Sequence, residues 1–138
     1  MSRKPKALVL DSWAVLAYLE DEDSGQKVAD LISDAHEHSI PLLMSIVNVG
    51  EVWYIFAREV SETEADKSVD SLRQLGIVFV DADWKLTRQA GMYKSRNRMS
   101  YADCFAAALA KEHKAELVTG DKEFKQVESD IRIRWLEA

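Results

Sequence analysis

Four short apolar runs constrain this chain more than any other feature. They are ALVL (Ala7–Leu10), IPLLMS (Ile40–Ser45), IVFV (Ile77–Val80) and ELVT (Glu116–Thr119), and helix-length segments separate them. A run of four to six residues is too short for a core helix. Its lack of polar alternation marks a strand buried on both faces. Strands of that kind belong to a parallel sheet whose crossover helices cover both sides. A fifth segment, IRIRW (Ile131–Trp135), alternates apolar and polar residues as an edge strand does. The expected fold class is therefore α/β, a three-layer α/β/α domain with a mainly parallel sheet of four to five strands. At 138 residues the whole chain, 1–138, is expected to form one domain.

The intervening segments carry helix signals. Ser12 is placed to cap WAVLAYL, and DEDSG (Asp21–Gly25) reads as a solvated turn. From Gln26 to Glu37 the residues Val28, Leu31, Ile32 and Ala35 follow helical spacing. His36 and His38, two apart, do not share a helix face and make a poor metal pair. SIVNVGEVWYIFAREV reads as about four helical turns. Gly50 within it costs about 1 kcal/mol relative to Ala, so a close approach to the backbone is expected there. Ser61 and Glu64 form a capping box for a helix that Gly76 ends, and Asp83 caps another over Trp84–Lys94. KSRNR (Lys94–Arg98) is a basic connection into SYADCFAAALA. There Ser100 caps, Asp103 follows in the first turn, and the helix closes at His113. Lys122–Val127 reads as a short helical turn.

Charge narrows the functional classes. With 18 basic against 24 acidic residues the net charge is −6, which argues against a general electrostatic nucleic-acid binder. Four carboxylates gathered around divalent cations would remove much of that deficit from the outer surface. Cys104 is the only cysteine, which excludes an intramolecular disulfide and suits a reducing, cytoplasmic compartment; its apolar helical surroundings suit a small packed side chain. No run approaches the roughly 18 apolar residues of a membrane span, so no membrane association is expected.

Four acids interrupt apolar sequence: Asp11, Glu51, Asp103 and Asp121. Each has an ordinary reading. Asp11 and Asp121 suit strand-to-helix loops, and Asp103 suits a helix N-terminus. Glu51 is harder to place, because Val47, Val52, Ile55 and Phe56 surround it at helical spacing and a carboxylate there needs a partner. In a parallel sheet, ligands sit outside the carboxyl ends of the strands. Asp11 and Asp121 end strands at that edge, and the helices carrying Glu51 and Asp103 begin there. Carboxylates so gathered repel one another unless cations neutralise them. Oxygen donors without Cys or His suit Mg²⁺ or Mn²⁺, and the arrangement matches two-metal phosphodiester hydrolysis.

The motifs LVLDSWAVLAYL, NVGEVWY, SYADCFAAALA and LVTGDKEF, in this order and spacing, resemble PIN-domain nucleases, and more narrowly the VapC-type toxins of bacterial toxin–antitoxin modules. The resemblance spans nearly the whole chain. It implies a Mg²⁺- or Mn²⁺-dependent endoribonuclease, cytoplasmic and homodimeric, neutralised by a cognate VapB-like antitoxin. Asp11, Glu51 and Asp103 are then the principal metal-organising acids, Asp121 the fourth, often acting through water, and Ser12 and Thr119 supporting hydroxyls. Asn48 stands where the family varies and is left outside the set. The implied products of RNA hydrolysis carry a 5′-phosphate and a 3′-hydroxyl.

RNA also needs a positive approach. Lys94, Arg96 and Arg98 before the Ser100 helix, with Lys122 and Lys125 after Asp121, are the candidate phosphate contacts. Trp13, Trp53, Tyr54 and Phe56 read as core; any that are exposed would suit an apolar groove for an antitoxin segment. Two rival readings have discriminators. A receiver-like phospho-acceptor domain would place its acceptor Asp after the third strand, where Asp81 stands, and would want a lysine where LVTGD has its acid. A non-catalytic binding module would use the same acids structurally and bind no divalent ion.

Overall fold

The computed structural model describes residues 4–20 and 22–136. Its sheet has five strands, β1 (Leu8–Leu10), β2 (Leu42–Ser45), β3 (Ile77–Val80), β4 (Glu116–Thr119) and β5 (Arg132–Trp135), in the order β3-β2-β1-β4-β5, and every pairing is parallel. The helices are α1 (Ser12–Leu19), α2 (Gly25–Glu37), α3 (Ile46–Glu59), α4 (Glu62–Gln74), α5 (Trp84–Arg96) and α6 (Tyr101–His113), and a 3-10 turn spans Lys122–Val127. The expected α/β architecture with a parallel sheet is what the chain adopts.

Alternation along the strands produces the layers. Leu8 and Leu10 of β1, Leu42 and Met44 of β2, and Val118 of β4 face a core shared with α1, α2, α3 and α4. Val9, Leu43 and Leu117 point the other way, into a core built with α5 and α6. Helix α6 lies against β1, β2 and β4, and every residue from Asp103 to Ala110 is buried. Its alanines allow that close approach. A leucine in their place would overfill the layer.

Several local expectations need correction. Asp11, not Ser12, caps α1: its carboxylate accepts from the Ala14 amide at 2.8 Å, and Ser12 is the first helical residue. Strand β3 lies at the sheet edge rather than buried on both faces, and Val78 is 55% exposed. Gly50 is exposed and a Cβ there would meet open space, so no close approach explains it. Lys94 and Arg96 belong to the last turn of α5, and only the residues after Arg96 connect it to α6. Tyr54 is 48% exposed and none of the four aromatics around it and Trp13 is fully buried. Of the DEDSG turn, Asp21 lies outside the described residues, while Gly25 already belongs to α2.

The caps at Ser61, Asp83 and Ser100 form as the sequence implies, each accepting from the amide three residues on. After α4 the chain turns at Gly76, whose φ of +82° belongs to the left-handed region, and the His36 ring packs where its Cβ would be.

Candidate metal centre

Strand order reverses between β1 and β4, so the connections leaving their carboxyl ends diverge and open a crevice there. Asp11 immediately follows β1, and Asp121 stands two residues beyond β4. Helix α3 starts directly after β2 and carries Glu51 in its second turn; α6, which runs into β4, carries Asp103 in its first. Four separate segments thus deliver four acids to one edge.

Asp11 is 1% exposed, and both its oxygens are engaged: one by the Ala14 amide, the other by the Thr119 hydroxyl at 2.5 Å. Burial pushes its carboxyl up to about 7. The Thr119 and Ala14 hydrogen bonds oppose that shift, and the charges of Asp121 and Glu51 add to it. Asp103, 7% exposed, is pushed up to about 8, first by burial and then by Asp121, Asp11 and Glu51; a hydrogen bond with Ser100 opposes it. Asp11 and Asp103 therefore both feel the charges of Asp121 and Glu51. Without cations, Asp11 and Asp103 hold protons into the neutral range.

Ser12 and Thr119 each bond to one of the four acids. Ser12 donates to Glu51, tying α1 to α3. Thr119 donates to Asp11 and accepts from the Asp121 amide at 3.0 Å, which links the ends of β1 and β4.

Two further residues lie beside the set: Glu123, which the sequence reading does not name, and Asn48, which it leaves out. Glu123, in the 3-10 turn, can bring a carboxylate oxygen within 4.8 Å of oxygens from Asp103 and Asp121. Its signal was present in LVTGDKEF, as an acid two residues after Asp121. Asn48 is fully buried and donates to the Ala102 carbonyl at 3.1 Å, so the helix bearing Glu51 is pinned to the residue before Asp103. Its Oδ1 has no partner among the described residues. The spacing of Asn48 one turn before Glu51 was the available signal.

The donor set fits a hard divalent cation. It is all oxygen, crowded enough to retain protons, and includes Asp103, Asp121 and Glu123 within mutual reach of one ion.

The basic candidates divide. The Lys94 ammonium donates to the Met99 carbonyl at 2.7 Å and so fastens the α5–α6 connection, while the charge of Arg96 acts on Asp130. Arg98 is docked to the 3-10 turn through reciprocal bonds with Gln126, at 2.8 and 3.2 Å. Lys122 and Lys125 are exposed on that same turn. Arg98, Lys122 and Lys125 thus lie on or against the turn that Asp121 caps. A cavity of about 420 Å³ lined by Lys4, Lys6, Lys111, Lys114 and Arg132 lies at the other edge, where β4 and β5 begin, and none of the four acids reaches it. Asp81 stands exposed beyond edge strand β3, which leaves the phospho-acceptor arrangement without its aspartate.

A family model described as PIN domain matches residues 8–129. A search of curated proteins gives no match. Among solved structures, VapBC2 from Rickettsia felis, bound to a DNA fragment from its promoter, matches with a TM-score of 0.75 at 16% identity over 95% of this chain and 99% of that one. Mycobacterium tuberculosis VapC20, a toxin that cleaves the sarcin–ricin loop, matches with a TM-score of 0.68 at 16% identity over 88% and 95%. A toxin–antitoxin complex from Klebsiella pneumoniae matches with a TM-score of 0.68 at 13% identity over 95% and 98%. At such identities the likeness to these three is one of fold.

Proposed function

The chain belongs to the PIN domain family, and on that footing we propose that it is a divalent-cation-dependent endoribonuclease, the toxin of a toxin–antitoxin pair. The observation that carries this reading is the meeting of Asp11, Glu51, Asp103 and Asp121 at one sheet edge, with two carboxyls raised to about 7 and 8. Such crowding costs stability in a protein that has no use for it.

Mg²⁺ or Mn²⁺ bound there would supply Lewis-acid activation of water and charge neutralisation at phosphorus. The protein's part is to hold the ligands. Thr119 and the Ala14 amide fix Asp11, Ser12 aims Glu51, Asn48 holds the start of α6 against α3, and Asp121 with Glu123 closes the side formed by the 3-10 turn. Asp11 and Asp103 must release protons to serve as ligands, so cation binding strengthens as pH rises toward 8. In-line attack by water at phosphorus would break the P–O3′ bond, the water oxygen staying on the 5′-phosphate and a proton passing to the leaving 3′-oxygen, which becomes the 3′-hydroxyl.

We assign RNA backbone contacts to Arg98, Lys122 and Lys125, on or against the turn that Asp121 caps. Exposed Tyr54 and Val60, at the outer side and end of α3, suit an apolar segment of an antitoxin. Homodimerisation and a cytoplasmic site of action follow from the same reading. No helix among the described residues is long and apolar enough to cross a membrane. Mapping of RNA 5′ ends after brief induction tests the activity: new ends should appear with wild type and be absent with Asp11→Asn. Identical ends in both overturn the reading.

A further inference from the structure

Two tripeptides meet at the centre, through Asp11 with Thr119 and Trp13 with Gly120. Asp11, Ser12 and Trp13 open α1, and Thr119, Gly120 and Asp121 leave β4. Asp11 and Thr119 share a hydrogen bond, and the Asp121 amide returns to the Thr119 oxygen. Between them the Trp13 indole lies on Gly120. A Cβ at position 120 would stand 2.3, 2.5 and 2.6 Å from Cη2, Cζ2 and Cζ3 of its six-membered ring. Carbon atoms in contact rest about 3.5–4.0 Å apart, so the overlap exceeds an ångström. Gly76 is the glycine with positive φ here, so backbone conformation does not demand glycine at 120. Space under the indole does.

Asp121 needs such a brace. It caps a 3-10 turn of six residues, and its carboxylate accepts from the Glu123 amide within that same turn. A 3-10 turn is poorly hydrogen-bonded and gives little stiffness of its own. Trp13, half-buried, packs against the core beneath α1. We propose that Trp13 is a positioning residue of the metal centre: seated on Gly120, it sets the height of the Thr119–Asp121 turn above Asp11, and with it the spacing of Asp121 from the other acids. This rests on the reading of those acids as a divalent-cation site.

The two residues make a steric lock that can be opened from either side. Losing a group that orients a metal ligand typically costs about 10- to 100-fold in metal affinity. Mn²⁺ binding, followed by electron paramagnetic resonance on the folded protein without RNA, compares wild type, Gly120→Ala, Trp13→Ala and the double variant. Gly120→Ala should bind most weakly, at least tenfold below wild type. Trp13→Ala should fall three- to tenfold, and the double variant should match Trp13→Ala, because the added methyl no longer meets a ring. If Gly120→Ala fails to fold, recovery of fold and binding in the double variant supports the same contact. A double variant as weak as Gly120→Ala, or a Trp13→Ala that binds like wild type, overturns the positioning role. Wild type that binds no Mn²⁺ overturns the metal-centre reading and this proposal with it.

Discussion

Replacing Asp103 with Asn should stabilise the metal-free protein at pH 7 and destabilise it near pH 4, where only the poorer hydrogen bonding of the amide remains. The folded Asp103 carboxyl is pushed to about 8 from 3.8, chiefly by burial and then by Asp121, Asp11 and Glu51. Below pH 3.8 the group is protonated in both folded and unfolded chains and costs nothing. Between pH 3.8 and 8 the unfolded chain ionises while the folded one keeps its proton, so stability is lost at about 1.4 kcal/mol per pH unit. That amounts to about 4 kcal/mol at pH 7 by the same relation. An amide of the same shape escapes this cost, and imperfect hydrogen bonding beside Ser100 returns about half of the gain. A net gain of about 2 kcal/mol corresponds to a melting temperature roughly 8 °C higher for a chain of this size. Melts followed by circular dichroism in chelator across pH 4–8 measure it. Saturating Mg²⁺ should reverse the order at pH 7: a ligand at about 100 times its Kd adds roughly 2.7 kcal/mol to wild type, and little to the variant. A variant less stable than wild type throughout, or a difference that ignores pH, refutes the crowding on which the metal site rests.

Other perturbations separate the supporting groups. Thr119→Val removes the hydroxyl that lowers the Asp11 carboxyl, so the rise of nuclease activity with pH should move to higher pH, and an unchanged profile contradicts that role. Asn48→Ala should destabilise by about 1–3 kcal/mol, since it leaves the Ala102 carbonyl without its side-chain donor; a chemical-denaturation midpoint like wild type's rules this out. Lys122→Gln with Lys125→Gln should weaken RNA binding and flatten its salt dependence by up to about two units of slope, whereas Lys94→Gln should lower stability and spare RNA affinity.

The sequence shows its strands plainly because burial on both faces leaves unbroken apolar runs, and the caps at Ser61, Asp83 and Ser100 are local patterns that tertiary context did not overrule. The four acids were legible for a topological reason: residues that end parallel strands or begin adjacent helices share an edge. What stayed hidden depends on contacts between distant segments. Nothing local in DSW shows that Asp11 caps the helix while Ser12 reaches 39 residues forward to Glu51. The edge position of β3 follows from strand order, which an apolar tetrapeptide does not encode. The need for glycine at 120 comes from Trp13, more than a hundred residues away in sequence, and Asn48 gains its meaning only where α3 meets α6.

Product-end chemistry tests the central claim most directly. An RNA cleaved by the purified protein is mapped by mass spectrometry, with Mg²⁺ or Mn²⁺ present and then chelated, beside Asp11→Asn. Hydrolysis directed by the four acids predicts fragments with 5′-phosphate and 3′-hydroxyl ends, formed only with the divalent ion and lost in the variant. Fragments ending in a 2′,3′-cyclic phosphate, or cleavage that continues in chelator, would contradict it.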